Sequence, residues 1–252
     1  MDLDGFGSAI YLLTLFSYVL VYLSPSSNSQ FRQFRALEPL LSKSPSRSRV
    51  VWTSSLEASP TYYNPEDWQC KATSHSYEIT KYEIDLIATF LDRLSLQDST
   101  RKRPRHFVAQ PGVCSTSISD ALIGPVLNLV KLLLFYVVRD MFVPSDVLLL
   151  KMCQARLCGS PHHTVTPFKA AISVVHIALA PLVFLTFLEG HQPVRIGAQT
   201  DMRGNEYVGL TPVKEWKRFE MEAEYFLAKC NALYEKVKDT RTRLVTGDGQ
   251  AS

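Results

Sequence analysis

Two short runs rich in β-branched and apolar residues, RVVWTSS at 49–55 and RHFVAQPG at 105–112, flank a stretch with helical periodicity, SHSYEITKYEIDLIATFLDRL at 74–94. Within that stretch Ile84, Ile87, Ala88, Leu91 and Leu94 recur at three- and four-residue steps, the spacing of one helix face. The order strand, helix, strand constrains the chain more than any other feature, because a crossover of this kind joins parallel strands and commits the fold to the α/β class. Ligands on open α/β sheets bind beyond the carboxyl ends of the strands. Ser54 and Ser55 stand at one such end, and residues 111–116 at the other.

Tyr77 and Lys81 sit four apart at the start of the predicted helix, so their side chains are surface neighbours. A phenol ordinarily ionises near pH ~10, and an ammonium held beside it favours the phenolate. Such a pair can pass a proton. Most helix pairs of this type are ordinary exposed neighbours, and what sets this one apart is its position between the two strand ends.

The motifs WTSS, YEITK and PGVCST, in that order, resemble the catalytic half of the short-chain dehydrogenase/reductase family. The longer stretches VVWTSSLEASPTYYNPEDWQCKATSHSYEITKYEIDL and GNEYVGLTPVKEWKRFEMEAEYFLAKCNALYEK are similar to its branch of 3-ketosteroid reductases of ergosterol synthesis, related to the type 7 17β-hydroxysteroid dehydrogenases. The likeness runs from about Ala36 to about Lys238. It implies a Rossmann-like parallel sheet, NADP(H) as hydride donor to a steroid 3-keto carbon, Tyr77 as proton donor and Ser55 as hydrogen-bond partner of the ketone oxygen. Lys81 would serve both the phenol and the cofactor ribose, and Tyr77, Val113, Ser115 and Thr116 would also meet the cofactor. Ser55 is preferred to Ser54 because the second serine of the pair usually has this role, leaving Ser54 as a strand-end residue. The resemblance further implies a sterol intermediate as substrate, the cytosolic face of the endoplasmic reticulum membrane or a lipid droplet as location, and other sterol C-demethylation enzymes as partners.

The sequence also departs from that pattern. The cofactor half of such a fold opens with a glycine-rich turn between a strand and a helix, where the helix start meets the pyrophosphate. GFGSA at 5–9 follows no strand, and no match to the family's tetrad Asn precedes Ala36. The expectation is therefore an α/β, Rossmann-like parallel sheet represented by its carboxyl-terminal portion only, amino-terminally truncated, with added apolar helices. The divisions read as an atypical hydrophobic segment at 1–35 foreign to the fold, the catalytic half at 36–120, apolar substrate- or membrane-contact helices at 121–200, and a docking helix with a loose tail at 201–252. The competing expectation is a membrane-associated remnant that lacks the cofactor half and acts by binding.

Three apolar stretches bear on location. Residues 5–30 carry no charge, with AIYLLTLFSYVLVYL at their centre, and the runs at 121–138, interrupted by Pro125 and Lys131, and at 170–188, broken only by His176 and Pro181, have apolar residues on every face. A spanning helix needs ~20 such residues. The segment at 9–23 falls just short of that length, and 170–188 approaches it, so the readings are membrane contact or a buried helical hairpin.

Other function classes find little support. The net charge is +3, and RKRPRH at 101–106 reads as a solvated turn rather than a nucleic-acid site. The five cysteines, an odd number, read as reduced thiols. Cys153, Cys158, His162 and His163 match no common zinc spacing, so no metal is expected. Ser55 lies in no Gly-x-Ser-x-Gly elbow, which argues against a serine hydrolase. Near the end, Thr211 reads as a helix N-cap with Pro212 at the first helical position, and Trp216, Phe219, Ala223, Phe226 and Tyr234 fall on one side of that helix.

Overall fold

The computed structural model describes residues 27–44, 47–98, 100, 103–112, 161–162, 167–186, 192–201 and 205–246. In chain order these form α1 (Ser27–Leu41), β1 (Arg49–Thr53), two short 3-10 turns (Pro60–Tyr62 and Pro65–Asp67), α2 (Ser76–Gln97), β2 (Arg105–Gln110), α3 (Pro167–Ala170), α4 (Ile172–Leu179), α5 (Leu182–Thr186), β3 (Val194–Thr200), β4 (Glu206–Pro212) and α6 (Trp216–Thr246). The strands make one mixed sheet in the order β1-β2-β3-β4, mostly parallel and flanked by helices. Arg105 N donates to Ser48 O at 2.8 Å and Ser54 N to Ala109 O at 2.9 Å, so β1 and β2 advance together as the crossover requires. The α/β class and the strand, helix, strand unit stand as the sequence predicts.

The chain divides into two compact units, one of Met1–Thr53, Glu57–Val108 and Val213–Ser252, the other of Ser54–Leu56 and Ala109–Pro212. In the first, α2 carries two apolar stripes. Ile79, Tyr82 and Leu86 pack with Ala58, Tyr63, Val213, Trp216, Phe219 and Ala223. Ile84, Ile87 and Ala88 pack with Val50 and Trp52 of β1, Val108 of β2, Phe31, Phe34 and Leu41 of α1, and Phe226, Leu227 and Cys230 of α6. A helix covered on two sides has little face left for solvent, which is why Lys81, Glu83 and Asp85 are buried as well. Burying apolar side chains on this scale is the main drive for docking α1 and α6, at ~25 cal/mol per Å² of apolar surface.

Phe31 and Phe34 are 0% and 1% exposed in this core, so the division expected between residues 35 and 36 falls inside α1, and residues 27–35 belong to the fold rather than being foreign to it. The segment at 9–23 lies outside the described residues.

The crossover is closed by an ion pair between a buried guanidinium and a partly buried carboxylate. Arg105, at the start of β2, donates from Nε to Asp92 Oδ1 at 2.7 Å and from Nη2 to Oδ2 at 3.0 Å, while the His106 amide donates to Oδ1 at 2.9 Å. His106 Nδ1 accepts from Trp52 Nε1 at 3.0 Å, linking β1 to β2 below the ladder. Burial and the neighbouring Arg105 charge pull the His106 imidazole down to about 3, so it is neutral and can accept that bond.

In the second unit, β3 and β4 pair antiparallel from Val194↔Pro212 to Thr200↔Glu206. Asp201 and Asn205 close the hairpin, with Asn205 N donating to Asp201 Oδ1 at 2.8 Å. Gly209 faces Gly197, and a Cβ at 209 would sit 2.2 Å from the Gln199 side chain, which uses that space. This pairing corrects two expectations. Thr211 and Pro212 close β4 rather than opening a helix, and α6 begins at Trp216 after a turn in which Glu215 has φ 50. Thr211 suits an extended strand, the residue before a proline avoids helix, and Pro212 can end an edge strand because that position needs no N–H. The helix face of Trp216, Phe219, Ala223 and Phe226 is buried as the spacing predicts.

The apolar run at 170–188 is not one helix. Ala180 has ψ 137 before Pro181, ending α4 after eight residues, and α5 adds five more. No helix among the described residues is long and apolar enough to cross a membrane. Ile177 and Leu185 turn inward, whereas Phe168, Leu179, Val183 and Phe184 are 88%, 68%, 69% and 64% exposed. The run at 121–138 lies outside the described residues.

Replacing Asp92 by Ala leaves the Arg105 guanidinium buried without its carboxylate, a change that costs about 3 to 5 kcal/mol in comparable sites. Urea denaturation of Asp92→Ala is expected to show a loss of that size. Unchanged stability would mean that the pair does not hold the crossover closed.

Candidate active site

At the start of α2 the Asp67 carboxylate caps the Lys71 and Ala72 amides at 2.9 Å each, shaping the loop that leads into the helix. His75 precedes the first turn and makes no side-chain cap. Its ring stacks on Tyr62 with centroids 3.6 Å apart and planes 4° from parallel. Tyr77 follows in the first turn and is 42% exposed.

One turn on, Lys81 is 5% exposed. Its Nζ donates to the Thr53 carbonyl at 3.0 Å, at the carboxyl end of β1, and lies 5.8 Å from the centroid of the Tyr77 ring. The pair that the spacing singled out is therefore brought together, with the cation inside the distance at which a ring attracts it. Burial pulls the Lys81 ammonium down to about 8, and the Asp85 carboxylate opposes that shift. Tyr77, Lys81 and Asp85 succeed one another at four-residue steps, so exposed phenol, buried ammonium and fully buried carboxylate form a graded line along one side of α2. Asp85 was legible from that spacing, although the sequence reading did not include it.

In the second unit Ser54 is 2% exposed and its amide is the last described rung between β1 and β2, as expected of a strand-end residue. Ser55 is half-buried, and its carbonyl accepts from Arg195 Nη1 at 2.9 Å. The same Nη1 donates to Gln110 Oε1 at 3.3 Å. Nothing in the sequence marked Arg195, which reaches this position through strand pairing alone. Val113, Ser115 and Thr116 lie outside the described residues.

Lys81 gives a measurable pH signature. Between about 8 and the ordinary 10.5 the folded chain has released this proton while the unfolded chain still holds it, so stability from this group rises with pH across that window. Below it both states are protonated and the full cost of burying the charge remains. Denaturation at stepped pH is expected to show the wild type gaining on Lys81→Met across the window, with the gain beginning at lower pH in Asp85→Asn. A constant difference between wild type and Lys81→Met would contradict the buried, shifted ammonium.

No protein-family model matches the chain, and no solved structure matches it. Among curated proteins it is 29% identical over 170 residues to a 3-keto-steroid reductase of Schizosaccharomyces pombe, covering 67% of this chain and 41% of that relative. It is 31% identical over 176 residues to the 3-keto-steroid reductase of Eremothecium gossypii, covering 69% of this chain and 42% of the relative. The human 3-keto-steroid reductase/17-beta-hydroxysteroid dehydrogenase 7 shares 33% identity over 95 residues, 38% of this chain and 27% of the relative. The chain thus spans about two fifths of the length of the first two relatives. With a tyrosine and a buried lysine paired on the crossover helix of an α/β sheet, the chain is similar to 3-keto-steroid reductases over two thirds of its own length.

Proposed function

We propose that this chain carries the proton-transfer part of a ketoreductase that converts a 3-ketosteroid to the 3β-hydroxysteroid in sterol synthesis, with NADP(H) as cofactor. The observation that carries the reading is Lys81, buried between the Thr53 carbonyl and the Tyr77 ring in a homologue of 3-keto-steroid reductases. The Thr53 carbonyl and the Asp85 carboxylate offset the cost of burying this ammonium, and a perturbed cation held beside an exposed tyrosine is the kind of arrangement that acid–base sites use. Tyr77 donates its proton to the carbonyl oxygen, and Lys81 stabilises the phenolate that remains. Ser55 donates a hydrogen bond to the same oxygen. Asp85 keeps Lys81 charged despite its burial.

The donor set fits the nicotinamide end of the cofactor, since an ammonium and a phenol on one helix turn suit ribose hydroxyls; Tyr77 and Lys81 would hold it, with Val113, Ser115 and Thr116 as further contacts. When bound, a reduced nicotinamide supplies the hydride.

The proposed location is the cytosolic face of the endoplasmic reticulum or of a lipid droplet, with other sterol C-demethylation enzymes as neighbours. Exposed Phe168, Leu179, Val183 and Phe184 on α3 to α5 support contact with a lipid surface. The substrate class supports it too, because sterol intermediates partition into lipid.

In the purified chain, Tyr77→Phe is expected to lower 3-ketosteroid reduction by orders of magnitude with little change in NADPH affinity, while Lys81→Met weakens both. Near-normal turnover in Tyr77→Phe would remove the tyrosine from its role. NADPH fluorescence is the companion measurement: saturation at micromolar cofactor supports the reductase, and its absence favours the competing reading, a membrane-associated binding protein.

A further inference from the structure

We propose that Arg195 of β3 is the positioning residue for Ser55: its guanidinium locks the peptide at the end of β1 and so fixes the direction in which the serine hydroxyl points. The inference rests on the reductase reading for the role of Ser55, but the anchoring itself rests on geometry within one unit.

Ser54 N to Ala109 O, at 2.9 Å, is the last described bond between β1 and β2. A turn of the Ser55 peptide about its flanking dihedrals would swing the Cα–Cβ bond with it. Arg195 restrains that turn. It is 1% exposed, and Nη1 donates at once to Ser55 O at 2.9 Å and to Gln110 Oε1 at 3.3 Å. Gln110 is the last residue of β2 and is 0% exposed, and its Nε2 lies 3.5 Å from His162 Nδ1. Ser55 and Gln110 are thus tied to β3 through one planar cation whose donors have fixed directions. Burying a guanidinium is costly unless it is paired and hydrogen-bonded, and the Ser55 carbonyl and the Gln110 side chain are among the groups that Arg195 bonds.

Misplacing a reacting group by about 1 Å costs on the order of 100-fold in rate. Arg195→Met keeps most of the length and removes the donors, and it is expected to lower turnover by about that factor with the NADPH KM unchanged, whereas Arg195→Lys recovers part of the loss. Because Arg195 acts through Ser55, the change should add nothing in a Ser55→Ala background. Amide hydrogen exchange supplies a readout that needs no activity: Arg195→Met is expected to speed exchange at Ser54–Leu56 and leave α6 at its wild-type rate, with partial recovery in Arg195→Lys. If Arg195→Met does not fold, Arg195→Lys compared with wild type carries the same exchange and turnover measurements. Wild-type exchange at Ser54–Leu56 in the variants overturns the proposal, as do losses from Arg195→Met and Ser55→Ala that multiply. A chain that reduces no ketosteroid, or in which Tyr77→Phe is without effect, overturns the reductase reading instead, and the exchange result then still decides whether Arg195 holds this segment.

Discussion

Helix α2 is packed on two sides, and the first unit is organised around that fact. One apolar stripe meets the start of α6 and the loop carrying Ala58 and Tyr63; the other meets β1, β2, α1 and the middle of α6. A helix so placed cannot keep its polar residues in water. Glu83 and Asp85 are 1% and 0% exposed, and their surroundings show the consequence. Burial pushes the Tyr63 hydroxyl and the Cys230 thiol up, and the Glu83 charge adds to both shifts. Cys70 is likewise pushed up to about 11, first by burial and then by Glu83, so these described thiols stay protonated and unreactive near neutral pH.

The same packing makes Lys81 chemically distinctive. An exposed lysine four residues from a tyrosine would be an ordinary surface pair, screened by water and worth little. Sunk to 5% exposure with its Nζ on the Thr53 carbonyl, it becomes a fixed charge with a lowered proton affinity beside a phenol that still reaches solvent. Asp85 sits one turn deeper and works against the shift. Burial along this side of α2 thus deepens from the exposed ring of Tyr77 to the enclosed carboxylate of Asp85.

In the second unit another buried cation does a mechanical task. Arg195 crosses from β3 to the Ser55 carbonyl and the Gln110 side chain, where the described strand ladder has run out. Arg105 does the corresponding work in the first unit, bidentate on Asp92 at the return of the crossover. Both guanidiniums are almost wholly enclosed; Arg195 binds groups just at or past strand ends, and Arg105, itself the first residue of β2, binds Asp92 of α2.

The sequence by itself determined the strand, helix, strand unit, its class, and the Tyr77 and Lys81 pair, because period-two and period-3.6 patterns and four-residue spacing are local properties of the chain. It also marked the buried face of α6 by the spacing of Trp216, Phe219, Ala223 and Phe226. It misjudged Thr211 and Pro212, whose local chemistry suits a helix start as well as a strand end, and only pairing with Val194 and Arg195 chose between them. It placed a boundary inside α1 because nothing local shows that Phe31 and Phe34 fill a core built from residues up to two hundred positions away. The break at Ala180 and Pro181 was visible as a proline, but which apolar side chains around it turn inward depended on what they pack against. Tertiary structure alone decided how deeply Lys81 lies and that Arg195 meets Ser55, since burial and contact across strands depend on residues far apart in sequence, and no periodicity encodes them.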